Sequence, residues 1–371
     1  MADPAARPSA VRAALVYVRT KRVDSTGSTC RPKWSMSHVA VMVWGMAQRY
    51  GAIVASITTV IAALAVAATS LLTGSPLATA VGPPAVAASE SVLLQPVQYV
   101  DVPGARLGYR EAGQGRPLVL IVGFAVTMSE WEKGFVDELA RHHRVILFDN
   151  RAVGTSTGSV RRLSVAQMAR DTAAFIDKVV GGPADVLGWS MGGFIAQELA
   201  ITSPSSVRRL VLTSTNCGGP DSEQISAPVL AILSSPTATT EQRLGILFPP
   251  NRMADGEAWV ASIGATFAAN NYLPADSLIV PPATEQAQIR AIGPDWYGRG
   301  DGTCERLGQI AAPTLVAAGR QDEVIPSVNH RALVRGIPDA TSRVYSDAGH
   351  AFLFQPGLRF ARTVDRFLRS Q

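Results

Sequence analysis

The residues of this chain that are best suited to chemistry are Ser190, Asp322 and His350. A serine hydroxyl is a weak nucleophile until a base removes its proton, and an imidazole is a better base when a carboxylate fixes its tautomer. The order serine, aspartate, histidine along a chain is one in which these groups are known to act together. The three residues therefore predict nucleophilic catalysis of acyl transfer.

Ser190 lies in a stretch that predicts a strand, a tight turn and a helix. An apolar run at 184–187 precedes the serine, and apolar residues recur at helical spacing after it. Gly188 and Gly192 stand two residues before and two after, where side chains would clash in a strained turn. A second Gly-x-Ser-x-Gly surrounds Ser156, but no helix is predicted directly behind it. Ser190 is therefore the favoured nucleophile, and Ser156 is the alternative.

His350 is the favoured base, because it follows a glycine in the loop after the last predicted strand. That loop reaches the carboxyl edge of a parallel sheet, where catalytic groups gather. His38 lies in the amino-terminal leader, His142 and His143 lie at a helix end, and His330 falls within a predicted helix. These four side chains are interpreted as solvated.

Two adjacent carboxylates, Asp322 and Glu323, follow a predicted strand, and either of them is placed to face the histidine. Asp322 is favoured as the acid, and Glu323 is the alternative. Asp149 also ends a predicted strand, but the neighbouring Arg151 favours an ion-paired loop at that position.

Acyl transfer also requires hydrogen-bond donors for the oxyanion that forms on the substrate. The backbone amide of Met191, directly after Ser190, is one expected donor. The second is expected in the loop after the strand predicted at 117–122, at the amide of Phe124, which follows Gly123. A simple turn glycine is the alternative interpretation of Gly123.

Strand and helix signals alternate from residue 93 to the end of the chain, with one interruption. The strands are apolar throughout, which is typical of an α/β fold with a mostly parallel sheet and helices on both faces. The alternation breaks at 216–309, where only helices are predicted, with two Pro-Pro pairs and scattered aromatic residues. We therefore expect a core in two parts, 93–215 and 310–371, with an inserted helical cap at 216–309.

Positive charge is concentrated at the amino terminus of the 371-residue chain. Residues 1–50 carry a formal net charge of +6 and the other 321 residues carry −1, which together give +5 for the whole chain. Residues 1–50 are interpreted as a basic, disordered leader. The folded part is therefore not expected to bind nucleic acid.

Residues 51–73 form an uncharged run of mostly small apolar residues, followed by a linker at 74–92. The run is long enough to cross a bilayer and longer than the apolar region of a typical cleaved signal. Small residues that suit signal cleavage follow at 78–80 and 85–87. We expect export, to the cell envelope or the medium. Removal of the segment is slightly favoured over its retention in the membrane, and a buried core helix is the remaining alternative.

Cys217 and Cys304 lie near the two ends of the predicted cap. In an exported protein they are candidates for a disulfide, and two free buried thiols are the alternative.

The sequence resembles the α/β-hydrolase family from about residue 93 onwards. Beyond Ser190, Asp322 and His350, the segment 148–156 (Phe-Asp-Asn-Arg-Ala-Val-Gly-Thr-Ser) is similar to a loop of that family, and the passage 306–322 is similar to its transition from cap to acid. The resemblance implies an α/β-hydrolase fold of the serine esterase or cofactor-free haloperoxidase-like branch, and a structural place for Ser156.

Two departures from the family pattern concern backbone loops. Val122 precedes Gly123 where the family commonly has histidine, and Ala152 replaces a glycine. Since the oxyanion donor is a backbone amide, the first change should spare catalysis and alter how that loop is held.

The chain is therefore expected to be a serine hydrolase of the carboxylesterase or lipase type, with no metal and no organic cofactor. Its expected partner is a small ester or acyl substrate. The aromatic cap favours an apolar group on that substrate, although a cap packed on its own core would have the same composition. A cofactor-free haloperoxidase or perhydrolase, an acyltransferase, and a ligand-binding protein without turnover are the alternatives.

Overall fold

Eight strands form one sheet in the part of the chain that the structure describes. The computed structural model describes residues 91–370 except 221, 236, 271–276, 299, 301 and 357–358. The predicted leader and the apolar segment 51–73 lie outside the described residues. Within the described residues, no helix is both long enough and apolar enough to cross a bilayer. The strands are β1 (Gln98–Val102), β2 (Ala105–Ala112), β3 (Arg116–Ile121), β4 (His143–Phe148), β5 (Ala184–Trp189), β6 (Val207–Thr213), β7 (Thr314–Gly319) and β8 (Ala340–Tyr345).

The sheet is parallel except at β2. Its strand order is β1-β2-β4-β3-β5-β6-β7-β8, and β2 runs antiparallel to both of its neighbours. The pairs from β4 to β8 are all parallel. The carboxyl ends of β3 to β8 therefore share one edge, and the loops that follow β3, β5, β7 and β8 meet there.

Nine α-helices accompany the sheet in the described residues. They are α1 (Lys133–Ala140), α2 (Val165–Val179), α3 (Met191–Thr202), α4 (Ala227–Ser234), α5 (Thr240–Leu247), α6 (Met253–Ala269), α7 (Pro282–Arg290), α8 (His330–Gly336) and α9 (Phe360–Arg369). A π-helix at Ala291–Gly298 follows α7 directly. The Ser164 hydroxyl accepts a hydrogen bond from the amide of Gln167 and caps α2.

Strand residues alternate between two buried layers, which explains why the strands are apolar throughout. In β3, Val119 and Ile121 pack in the layer of α2 and α3. Leu118 and Leu120 pack on the opposite face, in the layer of α1 and α9. Because successive side chains of a strand point to opposite faces, both faces of the sheet are buried under helices, as predicted from the alternation of strands and helices.

Helices α4 to α7 and the π-helix lie in the chain between β6 and β7, the interval predicted to form a cap. A disulfide between Cys217 and Cys304 joins the two ends of this insertion. Beside it, the amide of Thr303 donates to the carbonyl of Cys217 at 2.7 Å. Trp296 of the π-helix stacks on Phe194 of α3, with ring centroids 4.7 Å apart. The insertion is thus fixed at its base to the helix that follows Ser190.

The expectation that the remaining histidines are solvated is wrong for two of them. His143 is buried at the start of β4, where its Nε2 lies 3.0 Å from Asp365 of α9. His330 is buried at the start of α8, with Nε2 2.8 Å from the Ser342 hydroxyl of β8. Burial lowers the pKa of both imidazoles. Each fills a gap between a helix and the sheet.

Candidate active site

Ser190 lies between β5 and α3, at the turn predicted for a nucleophile. Its backbone has φ 57° and ψ −122°, a conformation that is strained for a residue with a side chain. Three hydrogen bonds hold it: its amide donates to the Thr213 carbonyl at 3.0 Å, and its carbonyl accepts from the Gly193 amide at 2.8 Å and the Thr215 hydroxyl at 3.0 Å. The turn is thus fixed from both neighbouring segments.

The two glycines around Ser190 permit close backbone contacts. A Cβ atom on Gly188 would overlap the backbone of Gly192 and Gly193. A Cβ atom on Gly192 would overlap the carbonyl groups of Ile121 and Val122 at the end of β3. The serine therefore sits directly beside the loop that was predicted to supply an oxyanion donor.

His350 and Asp322 form a buried pair at the carboxyl edge of the sheet. His350 Nδ1 lies 3.0 Å from Asp322 Oδ1 and 2.9 Å from Oδ2. The same Oδ1 accepts hydrogen bonds from the amides of Val324 at 3.0 Å and Ile325 at 2.8 Å. The adjacent Glu323, the alternative acid, is exposed. The loop after β7 therefore turns Asp322 inward.

The pairing determines which nitrogen of the imidazole carries a proton. An ionised carboxylate only accepts hydrogen bonds, so Nδ1 of His350 must be the donor. In the neutral ring Nε2 then has a free lone pair, which is the state that a general base requires.

Trp189, which the sequence analysis did not assign to the site, links the base to the nucleophile turn. Its indole Nε1 donates to the His350 carbonyl at 3.1 Å, and the two ring centroids are 5.7 Å apart. Since Trp189 directly precedes Ser190, this contact brings the loop of His350 to the turn. Among the described residues, the hydrogen bonds of the imidazole go to Asp322 and none goes to the Ser190 hydroxyl. The catalytic roles of the three residues stay predictions.

The predicted oxyanion loop faces Ser190. A Cβ atom on Gly123 would lie 3.2 Å from Ser190 Cβ and 3.7 Å from its Oγ. Met191 begins α3, and amides in the first turn of a helix have no acceptor within the helix. The loop and the helix start thus approach the serine from two sides, and the roles of the Phe124 and Met191 amides also stay predictions.

Ser156, the alternative nucleophile, has a structural environment. Its hydroxyl donates to the Asp149 carbonyl at 2.7 Å and accepts from the Gly108 amide at 3.0 Å. The bond from Gly108 joins β2 to the loop after β4, and the bond to Asp149 lies within that loop. This contact agrees with the structural place that the family resemblance implied.

The ion pair expected in the loop at Asp149 and Arg151 is made by Arg151, and its partner is not the neighbouring Asp149. Arg151 pairs with Asp171 of α2, while Asp149 is fully buried and accepts from the amides of Met128 at 2.7 Å and Thr155 at 2.8 Å. Burial raises the pKa of Asp149 to about 6, against these hydrogen bonds and the charge of Arg110, which favour the ionised form. Burial likewise lowers the pKa of Arg110 to about 10.

The aromatic residues of the cap mostly pack in the core. Trp259 stacks on Phe354 at 4.9 Å and lies 6.2 Å from Phe248, measured between ring centroids. Their number is therefore explained by packing, without an apolar substrate. Within the described part of the chain, no three His, Cys, Asp or Glu side chains are grouped so as to hold a metal ion.

Comparison with known proteins indicates one family for this chain. A family model described as alpha/beta hydrolase fold matches residues 116–356. The protein named "Putative carbamate hydrolase RutD" of Azorhizobium caulinodans is 30% identical over 257 residues, which cover 68% of this chain and 91% of that protein. The protein named "Putative non-heme bromoperoxidase BpoC" of Mycobacterium tuberculosis is 29% identical over 259 residues, covering 67% of this chain and 92% of that protein.

A solved structure has the same architecture. The alpha/beta hydrolase fold protein from Chitinophaga pinensis matches with a TM-score of 0.66 and 26% identity, over 76% of this chain and all of that one.

Proposed function

Since the chain belongs to the α/β-hydrolase family and is a hydrolase of that fold, we propose that it is a serine hydrolase that cleaves a carboxylic ester or a related acyl bond. The observation that carries the proposal is the buried His350–Asp322 pair, joined through Trp189 to the strained turn of Ser190. A histidine held in the tautomer of a base, beside a serine on such a turn, is suited to nucleophilic catalysis.

In the proposed mechanism, Ser190 Oγ attacks the acyl carbon while His350 Nε2 accepts the hydroxyl proton. The carbonyl electron pair moves to the oxygen, where the amides of Phe124 and Met191 stabilise it. The tetrahedral intermediate collapses, and the imidazolium returns the proton to the departing alcohol. Water, deprotonated by the same imidazole, then attacks the acyl-enzyme; the bond to Ser190 Oγ breaks, the imidazolium returns the proton to that oxygen, and the acid is released. Asp322 stabilises the imidazolium in both halves of the reaction.

Fluorophosphonate labelling and hydrolysis of short p-nitrophenyl esters test the proposal. We expect the wild-type protein to be labelled at Ser190 and to turn over the ester, and Ser190→Ala to lose both. Ser156→Ala is the matched control, because it removes the alternative serine; it should keep the label despite a lower melting temperature. Labelling that survives Ser190→Ala, or a wild type unreactive to every ester, would contradict the proposed function.

The fold does not determine which substrates the protein accepts, so the substrate class needs a measurement of its own. The named carbamate hydrolase relative supports adding carbamates to a panel of esters with acyl chains of increasing length. A preference for longer chains would support the apolar substrate group expected from the sequence. A preference for short polar acyl groups would contradict it, in agreement with the packing of the cap aromatics.

Cofactor-free haloperoxidase or perhydrolase activity is a second candidate, favoured by the relative named as a non-heme bromoperoxidase. Such a protein would use peroxide in place of water against the same acyl-enzyme. An assay of bromination in acetate buffer with hydrogen peroxide and bromide, run beside the ester assay, compares haloperoxidase activity with ester hydrolysis. Bromination lost in Ser190→Ala supports this activity, and absence of bromination beside ester turnover excludes it.

We also propose that the protein is exported. The apolar run 51–73 and the basic residues before it support this, and the Cys217–Cys304 disulfide suits an oxidising compartment. Fractionation of cells that express the full chain tests the proposal. Protein in the envelope or the medium supports export, and its exclusive recovery from the cytosol contradicts it.

A further inference from the structure

A glutamine of the cap holds the loop that carries the proposed oxyanion donor. Gln288 lies on α7, and its side chain is 1% exposed. Its Oε1 accepts a hydrogen bond from the backbone amide of Ala125 at 2.9 Å, across 163 positions of sequence. No motif marks this residue in the sequence.

Ala125 is a position at which the loop needs support. It has φ 53°, a left-handed conformation that residues with a Cβ atom seldom adopt. Its amide belongs to the planar peptide that joins Phe124 to Ala125. Only the two backbone torsions of Phe124 separate that plane from the one carrying the Phe124 amide. A bond that fixes one plane therefore restricts the direction of the other.

We propose that Gln288 is a positioning residue for the reaction: it holds the Phe124–Ala125 peptide so that the Phe124 amide points at the oxyanion. The inference depends on the proposed function, because it assigns Gln288 to that same site. Its consequence is that seating of the cap and stabilisation of the oxyanion are coupled through one side-chain amide.

The Nε2 atom of Gln288 helps to distinguish a role in positioning the loop from simple docking of the cap. Gln288 Nε2 is buried and has no hydrogen-bond partner in the described structure. A buried donor without a partner destabilises a fold. An apolar side chain at position 288 would therefore cost little stability, which a glutamine kept only for stability does not explain. Gln288→Met should therefore lower the melting temperature only slightly, because it takes the acceptor away from the Ala125 amide but also removes the unpaired donor.

A matched control lies one turn earlier on α7. The hydroxyl of Thr284, which is 2% exposed, donates to the carbonyl of Ala152 at 2.9 Å. This bond also docks α7 on the core, but on the loop after β4 and not on the loop that carries Phe124. Thr284→Val removes it while keeping the shape of the side chain.

The experiment measures kcat and KM for a short p-nitrophenyl ester, Ki for a boronic acid that forms a tetrahedral adduct with Ser190, and hydrogen exchange across residues 123–126. For Gln288→Met we expect kcat to fall about tenfold with KM within about twofold, and Ki to rise by the same factor as kcat falls. Exchange at Ala125 should accelerate. Thr284→Val should change none of these.

Three results would overturn the inference. Wild-type kcat and Ki in Gln288→Met would show that the bond does not position the donor. Equal losses in Gln288→Met and Thr284→Val would reduce Gln288 to a docking contact. A lower kcat with unchanged Ki would place its effect away from the oxyanion.

Two further measurements keep the test decisive. If the wild type hydrolyses no ester, the proposed function fails, and the exchange comparison still decides whether Gln288 holds this loop. If Gln288→Met does not fold, Gln288→Glu replaces it. This variant keeps an acceptor for Ala125, so slow exchange at that amide supports the inference and fast exchange in the folded variant overturns it.

Discussion

At the scale of single residues, the His350–Asp322 pair is built from more than the two side chains. Two backbone amides, of Val324 and Ile325, also donate to Asp322. The Trp189 indole holds the His350 carbonyl. Both ends of the pair are thus fixed before a substrate binds, which reduces the reorganisation that proton transfer requires.

Asp322→Asn should lower kcat by about 10²- to 10⁴-fold with little change in fold, because an asparagine amide can no longer stabilise the imidazolium and permits the wrong tautomer. The adjacent Glu323→Gln is the control, since that side chain is exposed and should leave kcat within about twofold of wild type. Steady-state hydrolysis of a p-nitrophenyl ester by both variants checks this. A large loss in Glu323→Gln with a mild one in Asp322→Asn would reverse the assignment of the acid.

Site residues were predictable from the sequence where they follow a strand. Side-chain environments that depend on burial were not predictable. Asp322 and His350 follow β7 and β8, so their convergence at one sheet edge was predictable from strand order. The burial of His143 and the pairing of Arg151 with Asp171 were not predictable, because the partner of His143 is 222 positions away and that of Arg151 lies on another element. Gln288 was missed for the same reason.

At the scale of elements, the turn between β5 and α3 depends on its packing against β3. Gly192 lies at the start of α3, where a Cβ atom would overlap the carbonyl groups of Ile121 and Val122. Backbone atoms cannot move aside as the end of a flexible side chain does. The helix would have to retreat from the sheet, and Ser190 with it.

Gly192→Ala should therefore destabilise the fold by about 3 kcal/mol or more and abolish ester hydrolysis. Gly182→Ala is the matched control, because Gly182 lies in the loop before β5 and a Cβ atom there meets nothing within 4 Å. Urea denaturation followed by tryptophan fluorescence measures both. A Gly192→Ala variant as stable as Gly182→Ala would mean that the close contact between turn and β3 is wrong.

The elements of the sheet domain were largely predictable, and those of the cap were not. Apolar strands separated by amphipathic helices give a periodic signal that survives without tertiary context. Between β6 and β7 the sequence indicated helices but no boundaries. The Cys217–Cys304 disulfide was one of two alternatives for these cysteines, and the structure decides between them. The π-helix at Ala291–Gly298 depends on a contact between the cap and α3 that no local pattern contains.

At the scale of the whole molecule, a buried carboxyl group lies where β2, β4 and the segment after β3 meet. Asp149 at the end of β4 accepts a hydrogen bond from the amide of Met128, which follows the predicted oxyanion loop, and it is close to the guanidinium of Arg110 on β2. The carboxylate thus joins three segments, and it does so in a fully buried position. Its protonation should couple the stability of the fold to pH.

The sign of this coupling follows from the direction of the pKa shift. Burial raises the pKa of Asp149 from 3.8 to about 6 in the folded protein. A pKa raised by folding contributes stability below the unfolded value, and this contribution is lost as pH rises through the folded value. Two pKa units correspond to about 3 kcal/mol. The folded state should thus lose about that much from this group between pH 4 and pH 7.

Comparison with Asp149→Asn isolates this contribution, since other titrating groups act equally in both proteins. Asparagine cannot accept all the bonds that Asp149 makes, so the variant should be less stable throughout, and above pH 6 it also leaves Arg110 without a counter-charge. The free energy of unfolding of wild type minus that of the variant should fall by about 3 kcal/mol from pH 4 to pH 7, measured by urea denaturation at each pH. A difference that grows with pH would instead mean that the hydrogen bonds from Met128 and Thr155 and the charge of Arg110 outweigh burial and keep the carboxylate ionised.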